Sequence, residues 1–212
     1  MEFNEAIQDY AEGPITRQVI LHLLKDYKRP YDKINELVKQ KVLTPVKRGI
    51  YVPGPRLKIA GPEPFLLANH ILGPSYISRE SALSFWSLIP ERVYEISSMT
   101  TADSKIYRTR VGRFSYRHLP IPYYPLGVRH LELTKRQTIL IATPEKALCD
   151  KIISTPGILL RSITQTRDLL LEDLRMEEEE LRKLDTSEIS SWLEYAPKKD
   201  SLAMLVKTLT TL

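Results

Sequence analysis

An α+β fold is predicted for this chain, with helices at both ends and antiparallel hairpins in the middle. Three observations predict it. Apolar residues recur at helical spacing over 15–38 and again from 144 onward. Between them, short extended runs are joined by basic, turn-forming residues. Proline and glycine divide the chain at 53–64, which holds four prolines and two glycines and is the best domain boundary.

Within Ile15–Tyr27, the side chains of Ile15, Val19, Ile20, Leu23 and Leu24 share one face, predicting a helix after Gly13-Pro14. A second helix follows Pro30, with Ile34, Leu37 and Val38 inward and Lys33, Asn35, Glu36, Lys39 and Gln40 outward. Leu43–Val46 and Ile50–Val52 then read as a hairpin through Lys47-Arg48-Gly49, where glycine supplies the permissive backbone. Helix, polar helix and basic hairpin is the order of a winged-helix DNA-binding unit, here spanning 1–54. Lys33, Asn35, Lys39, Lys41, Lys47 and Arg48 are its candidate DNA-binding residues. Only Lys28–Pro30 separate the two helices, which leaves little room for a middle helix. Three explanations stand open: the unit is abbreviated, it takes residues 3–11 as an extra helix, or it has lost DNA binding.

The second unit, 61–212, divides into an α/β core (61–155) and a helical tail (160–212). Its first helix is expected over Phe65–Leu72. Gly73–Pro90 then reads as a turn, an extended piece and a helix capped by Ser78. Ala82, Leu83, Phe85, Trp86 and Ile89 form its apolar stripe. Val93–Thr101 alternates as a strand, and Lys105–Arg110 with Arg113–His118 as a hairpin about Val111-Gly112. A two-residue loop there sets Arg110 against Arg113 and Arg108 against Ser115. Thr109 then faces Phe114, and Tyr107 faces Tyr116, leaving one face aromatic and the other rich in arginine. Val128–Leu133 and Thr138–Ala142 form a further hairpin tipped by Lys135 and Arg136. Thr143-Pro144-Glu145 is a helix start, with a capping hydroxyl and proline at the first position. Helices over 164–174, 177–184, 187–195 and 200–209 complete the tail, with Asp185 and Glu188 as a capping box.

Charge is segregated along the chain. Residues 25–58 hold ten Lys/Arg against three acids, and 105–136 hold eight against Glu132 alone, while the net charge is only +5. Two basic blocks in an otherwise neutral or acidic chain imply two surfaces for anionic partners. Arg108, Arg110, Arg113, Arg117, Lys135 and Arg136 make up the candidate surface of the second block. The four histidines show no metal-binding spacing, and one cysteine, Cys149, builds neither a disulfide nor a zinc site. It fits a reducing, cytoplasmic setting. No apolar run reaches the roughly 20 residues of a membrane span. The pattern Asp103-Ser104-Lys105, with Glu80 and Glu91 upstream, is the one arrangement that fits a metal-dependent nuclease.

Several separated blocks carry a family resemblance: GPSYISRESALSFWSLIPERVYEISSMTT, GRFSYRH and ATPEKALCDKI, preceded by KRGIYVPGP. In this order they resemble the AbiEi-type antitoxins of type IV toxin–antitoxin systems, over roughly residues 41–153. The resemblance implies a winged helix that represses its own operon by binding operator DNA. It implies a second domain that counters a nucleotidyltransferase-like toxin, direct contact not being required. No enzymatic activity, cofactor, metal, membrane or small-molecule substrate is expected. The alternatives are an interaction protein of the same fold without DNA binding, and the nuclease.

Overall fold

The computed structural model describes residues 3–212 and has an α+β fold with ten α-helices and two sheets among the described residues. A small N-terminal part contains α1 (Phe3–Ala6), a 3-10 turn (Ile7–Tyr10), β1 (Ile15–Thr16), α2 (Arg17–Leu23), α3 (Pro30–Lys39), β2 (Leu43–Lys47) and β3 (Ile50–Pro53). β3 lies between β1 and β2, antiparallel to both. Residues 3–10 thus supply an additional helical segment, anchored by the fully buried Ile7.

The first predicted helix starts two residues late. Ile15 and Thr16 pair with Tyr51 and Ile50, and Thr16 caps α2 by accepting from Val19 N at 3.4 Å. An apolar side chain facing the core satisfies the pattern from a strand as well as from a helix, so periodicity could not exclude this outcome. In α3, Pro30 occupies the first turn, where its missing N–H costs nothing, and Ile34 and Leu37 are buried.

The larger part begins with α4 (Pro64–Ile71), β4 (Ser75–Ile77), α5 (Arg79–Phe85) and β5 (Glu95–Thr100). The hairpins β6 (Lys105–Thr109) with β7 (Gly112–His118), and β8 (Val128–Thr134) with β9 (Gln137–Ala142), follow. The sheet runs β6-β7-β5-β4-β9-β8, so each hairpin forms one edge, and β4 and β5 fill the centre. β5 joins β7, and β4 joins β9, in parallel. α6 (Pro144–Ser154) packs against α5. The tail comprises α7 (Ile163–Arg167), a π-helical segment (Asp168–Asp173), α8 (Glu178–Leu181), α9 (Thr186–Trp192) and α10 (Lys199–Leu209). Leu202, Leu205 and Trp192 bury the last two helices in the large core. Among the described residues no helix is long and apolar enough to cross a membrane.

Two differences from expectation have side-chain hydrogen bonds as their cause. Ser78 stands at the start of α5 but makes no side-chain cap; its Oγ donates to Asp150 Oδ2 at 2.7 Å instead. A buried carboxylate is a stronger acceptor to satisfy than a backbone N–H is a donor. In the β6–β7 hairpin, Arg108 faces Arg113, Tyr107 faces Phe114 and Thr109 faces Gly112, so the turn is Arg110-Val111. Thr109 Oγ1 accepts from Val111 N at 3.1 Å and donates to Gly112 O at 2.9 Å, closing that turn from both sides. Gly112 takes φ +148, a value other residues rarely adopt. The opposing partners change, yet the aromatic and arginine-bearing faces stay as expected, because the pairing slips by an even number of residues.

The hydrophobic cores do not divide at the proline-rich connector. Leu43 and Tyr51 pack with Ile20, Ile34 and Leu37 in the small core, whereas Val46 and Val52 belong to the large one. The small sheet is therefore shared. The connector folds back onto the corner after α3: Gly54 N donates to Val42 O at 2.7 Å and Arg56 N to Lys41 O at 3.1 Å. A Cβ on Gly54 would lie 2.1 Å from Lys41 O, a contact only glycine avoids.

Candidate nucleic-acid interface

The outer face of α3 presents Asn35 and Lys39 to solvent, and Lys41, just beyond its end, is exposed too. Arg48, at the tip between β2 and β3, is likewise exposed. The two other candidate lysines are engaged. Lys33 Nζ lies 3.0 Å from Glu36 Oε2 and over the Tyr27 ring. Lys47 turns toward the large part, where Nζ donates to Ile71 O at 2.7 Å and sits 5.5 Å from the centre of the Tyr107 ring. An ammonium group held by a backbone carbonyl and an aromatic face has little left to offer a phosphate.

The second basic block reaches the small part from both edges of the large sheet. On one side Lys105 shares the Tyr107 ring with Lys47, and Arg110 and Val111 meet the α3–β2 corner. On the other, Arg136 Nη1 lies 3.4 Å from Glu12 Oε1. Arg113 is paired with Glu95 on the neighbouring strand, which offsets the like-charge cost of facing Arg108, about 0.2–1 kcal/mol. Arg108, Arg110, Arg117 and Lys135 are exposed and have no ion-pair partner among the described residues. The two blocks, about 50 residues or more apart in sequence, thus meet across one junction, with Lys135-Arg136 at its far side.

A polar cluster inside the large part went unread in the sequence. Lys146 and Asp150 are fully buried one turn apart on α6, Nζ to Oδ1 being 3.3 Å. Tyr76 OH donates to Asp150 Oδ2 at 2.8 Å beside Ser78, and Lys146 Nζ donates to Tyr123 O at 3.0 Å. The ammonium also lies 3.2 Å from the centre of the Tyr123 ring. Burial raises the Asp150 carboxyl and lowers the Lys146 ammonium, while the charge of each opposes the shift in the other. Burial likewise pushes the Cys149 thiol up, leaving it protonated and inert. The spacing Lys-x-x-x-Asp within an apolar helix was the available cue, since neither residue is buried without a partner. Tyr76, Tyr123, Lys146 and Asp150 are all closed to solvent. The cluster fixes α6 to β4 and presents no reacting group to a substrate.

The nuclease carboxylates do not converge. Glu91 is 3.4 Å from Arg175, and Asp103 is exposed in the β5–β6 connection. Glu80 is held by Lys151 at 2.5 Å and Arg79 at 3.3 Å. Burial alone would raise the Glu80 carboxyl, but these two cations and its own backbone N–H together hold it below the usual carboxylate range. Among the described residues no group of three or more His, Cys, Asp or Glu could hold a metal ion. Compared with protein-family models and with curated proteins, the chain matches none.

Proposed function

We propose that this chain binds the operator DNA of its own promoter as a repressor in the cytoplasm. We propose further that it serves as the antitoxin of a type IV toxin–antitoxin system, countering a nucleotidyltransferase-like toxin. One observation carries the DNA-binding half: the order helix, strand, helix, helix, strand, strand, with the last strand at the centre of the small sheet. That order supports a winged-helix reading, with α3 as the helix entering the major groove and the Arg48-Gly49 tip as the wing along the phosphates. On this reading the helical segment over 3–10 stands as the further helix of the unit. Asn35 is the side chain suited to read a base edge, while Lys39, Lys41 and Arg48 suit the backbone.

The antitoxin half rests on the residue blocks that resemble the AbiEi family. Those blocks include Tyr76, Ser78, Lys146 and Asp150, which build the buried cluster. They are scaffold, and the countering surface lies on the exposed basic edges.

A mobility shift on the promoter tests the first half: a salt-steep shift, weakened in Arg48→Ala and Lys39→Ala, is expected. Growth rescue on co-expression with the adjacent toxin gene tests the second. A reading without DNA binding draws on one observation, the neutralised start of α3, where Asp32 lies 3.9 Å from Arg29 and Glu36 holds Lys33. Absence of any shift at low salt would favour it.

A further inference from the structure

At the junction of the two parts, a cleft of about 500 Å³ opens between the α3–β2 corner and the β6–β7 turn. Lys41 and Thr44 line it from one side and Arg110 from the other, with Val38, Leu43 and Val111 as apolar walls. Among the described residues no acidic one lines it. Neither Lys41 nor Arg110 has an ion-pair partner among the described residues. Two cations and a hydroxyl around a cleft that no described acid lines are the chemistry of a phosphate site.

We propose that this cleft takes a backbone phosphate of duplex DNA beyond the segment met by α3, with Lys41 and Arg110 as its cations. The proposal rests on the DNA-binding reading above and extends its track onto the large part. Arg110 then belongs to the DNA surface and is no part of a separate antitoxin surface.

Three physical points favour this occupant. First, the C-terminal end of a helix carries roughly −0.5 charge from its free carbonyls. Here two of those carbonyls are engaged: Val42 N donates to Leu37 O at 2.9 Å and Lys41 N to Val38 O at 3.1 Å. Two full positive charges therefore dominate the cleft. Second, the corner is pinned. Lys41 sits at φ 60, and Gly54 and Arg56 bind back onto it, so its side chain starts from a fixed backbone. Third, the cleft lies at the C-terminal end of α3, where Val38 and Lys41 line it. That helix has ten residues and is about 15 Å long. Phosphates recur about every 3.4 Å of axis along each strand. A duplex that meets Asn35 near mid-helix passes the cleft within a few phosphates.

Fluorescence anisotropy with the full chain decides the matter, using a promoter duplex and a scrambled duplex between 50 and 200 mM salt. Arg110→Ala and Lys41→Ala should each lower the slope of log affinity against log salt by about 1, equally on both duplexes. Arg110→Lys should retain the slope, because a point charge suffices for a phosphate. Unchanged melting temperatures would show that the variants fold. If Arg110→Ala keeps wild-type affinity and slope while Arg48→Ala and Lys39→Ala weaken binding, the cleft is unused and only the extension falls. If the wild-type chain binds neither duplex at the lowest salt, the DNA-binding reading falls and the subsite with it.

Discussion

The small and large parts handle charge in opposite ways. The small part has a core of aliphatic side chains and Tyr51, and its cations stand outside or at its edges. The large part carries a lysine and an aspartate wholly inside, held by two tyrosines and a serine. Interior charge costs several kcal/mol per ion to desolvate and is tolerated only where geometry is fixed. Exterior charge costs little and remains free for a partner. In this molecule the charges that can act are therefore separate from the charges that shape.

The largest test of that contrast is Asp150→Ala. It strands a buried ammonium and should cost about 3–5 kcal/mol in urea unfolding. Replacing both partners, Lys146→Met with Asp150→Leu, should recover most of the loss. A cost below 1 kcal/mol for Asp150→Ala would dissolve the distinction. Next comes Gly127→Ala, beside the same cluster. Its Cβ would lie 2.7 Å from Trp192 Cη2 and 2.8 Å from Lys146 Cβ, at φ +63. Overpacking and left-handed strain together should cost about 2–4 kcal/mol. Thr143→Ala removes the acceptor for Lys146 N at the start of α6 and should cost about 1 kcal/mol, read as a lower melting temperature.

Acidity probes an intermediate case. Glu80 is partly exposed but paired, and its folded carboxyl titrates below its unfolded value. Its contribution is therefore present above the ordinary glutamate range and is lost as pH falls through the depressed folded value. Unfolding free energy measured downward from pH 6 should fall less steeply in Glu80→Gln than in the parent; identical profiles would remove Glu80 from the account. At the small end, Arg48→Ala should leave stability within about 0.5 kcal/mol and, on the proposed DNA-binding reading, weaken only the salt-dependent mobility shift.

What was legible in the sequence follows from how local each determinant is. The start of α6 could be read because Thr143, Pro144 and Glu145 act on their own backbone, and Thr143 accepts from Lys146 N at 3.2 Å. The two basic hairpins could be read as hairpins, since alternation and turn residues are contiguous. Their registers were harder: the Arg110-Val111 turn depends on the Thr109 hydroxyl, a contact that propensity does not register. β1 is two residues long and exists only because Ile50 and Tyr51 arrive from 34 and 36 positions away. Separation in sequence also hid the fate of Lys47, whose carbonyl partner lies 24 residues on. Candidate contacts at the junction were legible as charge but not as neighbours. Nothing in a one-dimensional count brings Lys41 beside Arg110.

The shared sheet also bears on synthesis. Val46 and Val52 lie in the large core, with Ile139 and Ile141 among its members, so one side of the small sheet waits for chain that has not yet been made. At about 5–20 residues per second, roughly 90 residues of elongation separate Val52 from the end of β9, a delay of about 5–20 s on the ribosome. During that interval the nascent small part exposes apolar surface beside a row of cations. It is then open to chaperone capture before the edge hairpins close over it.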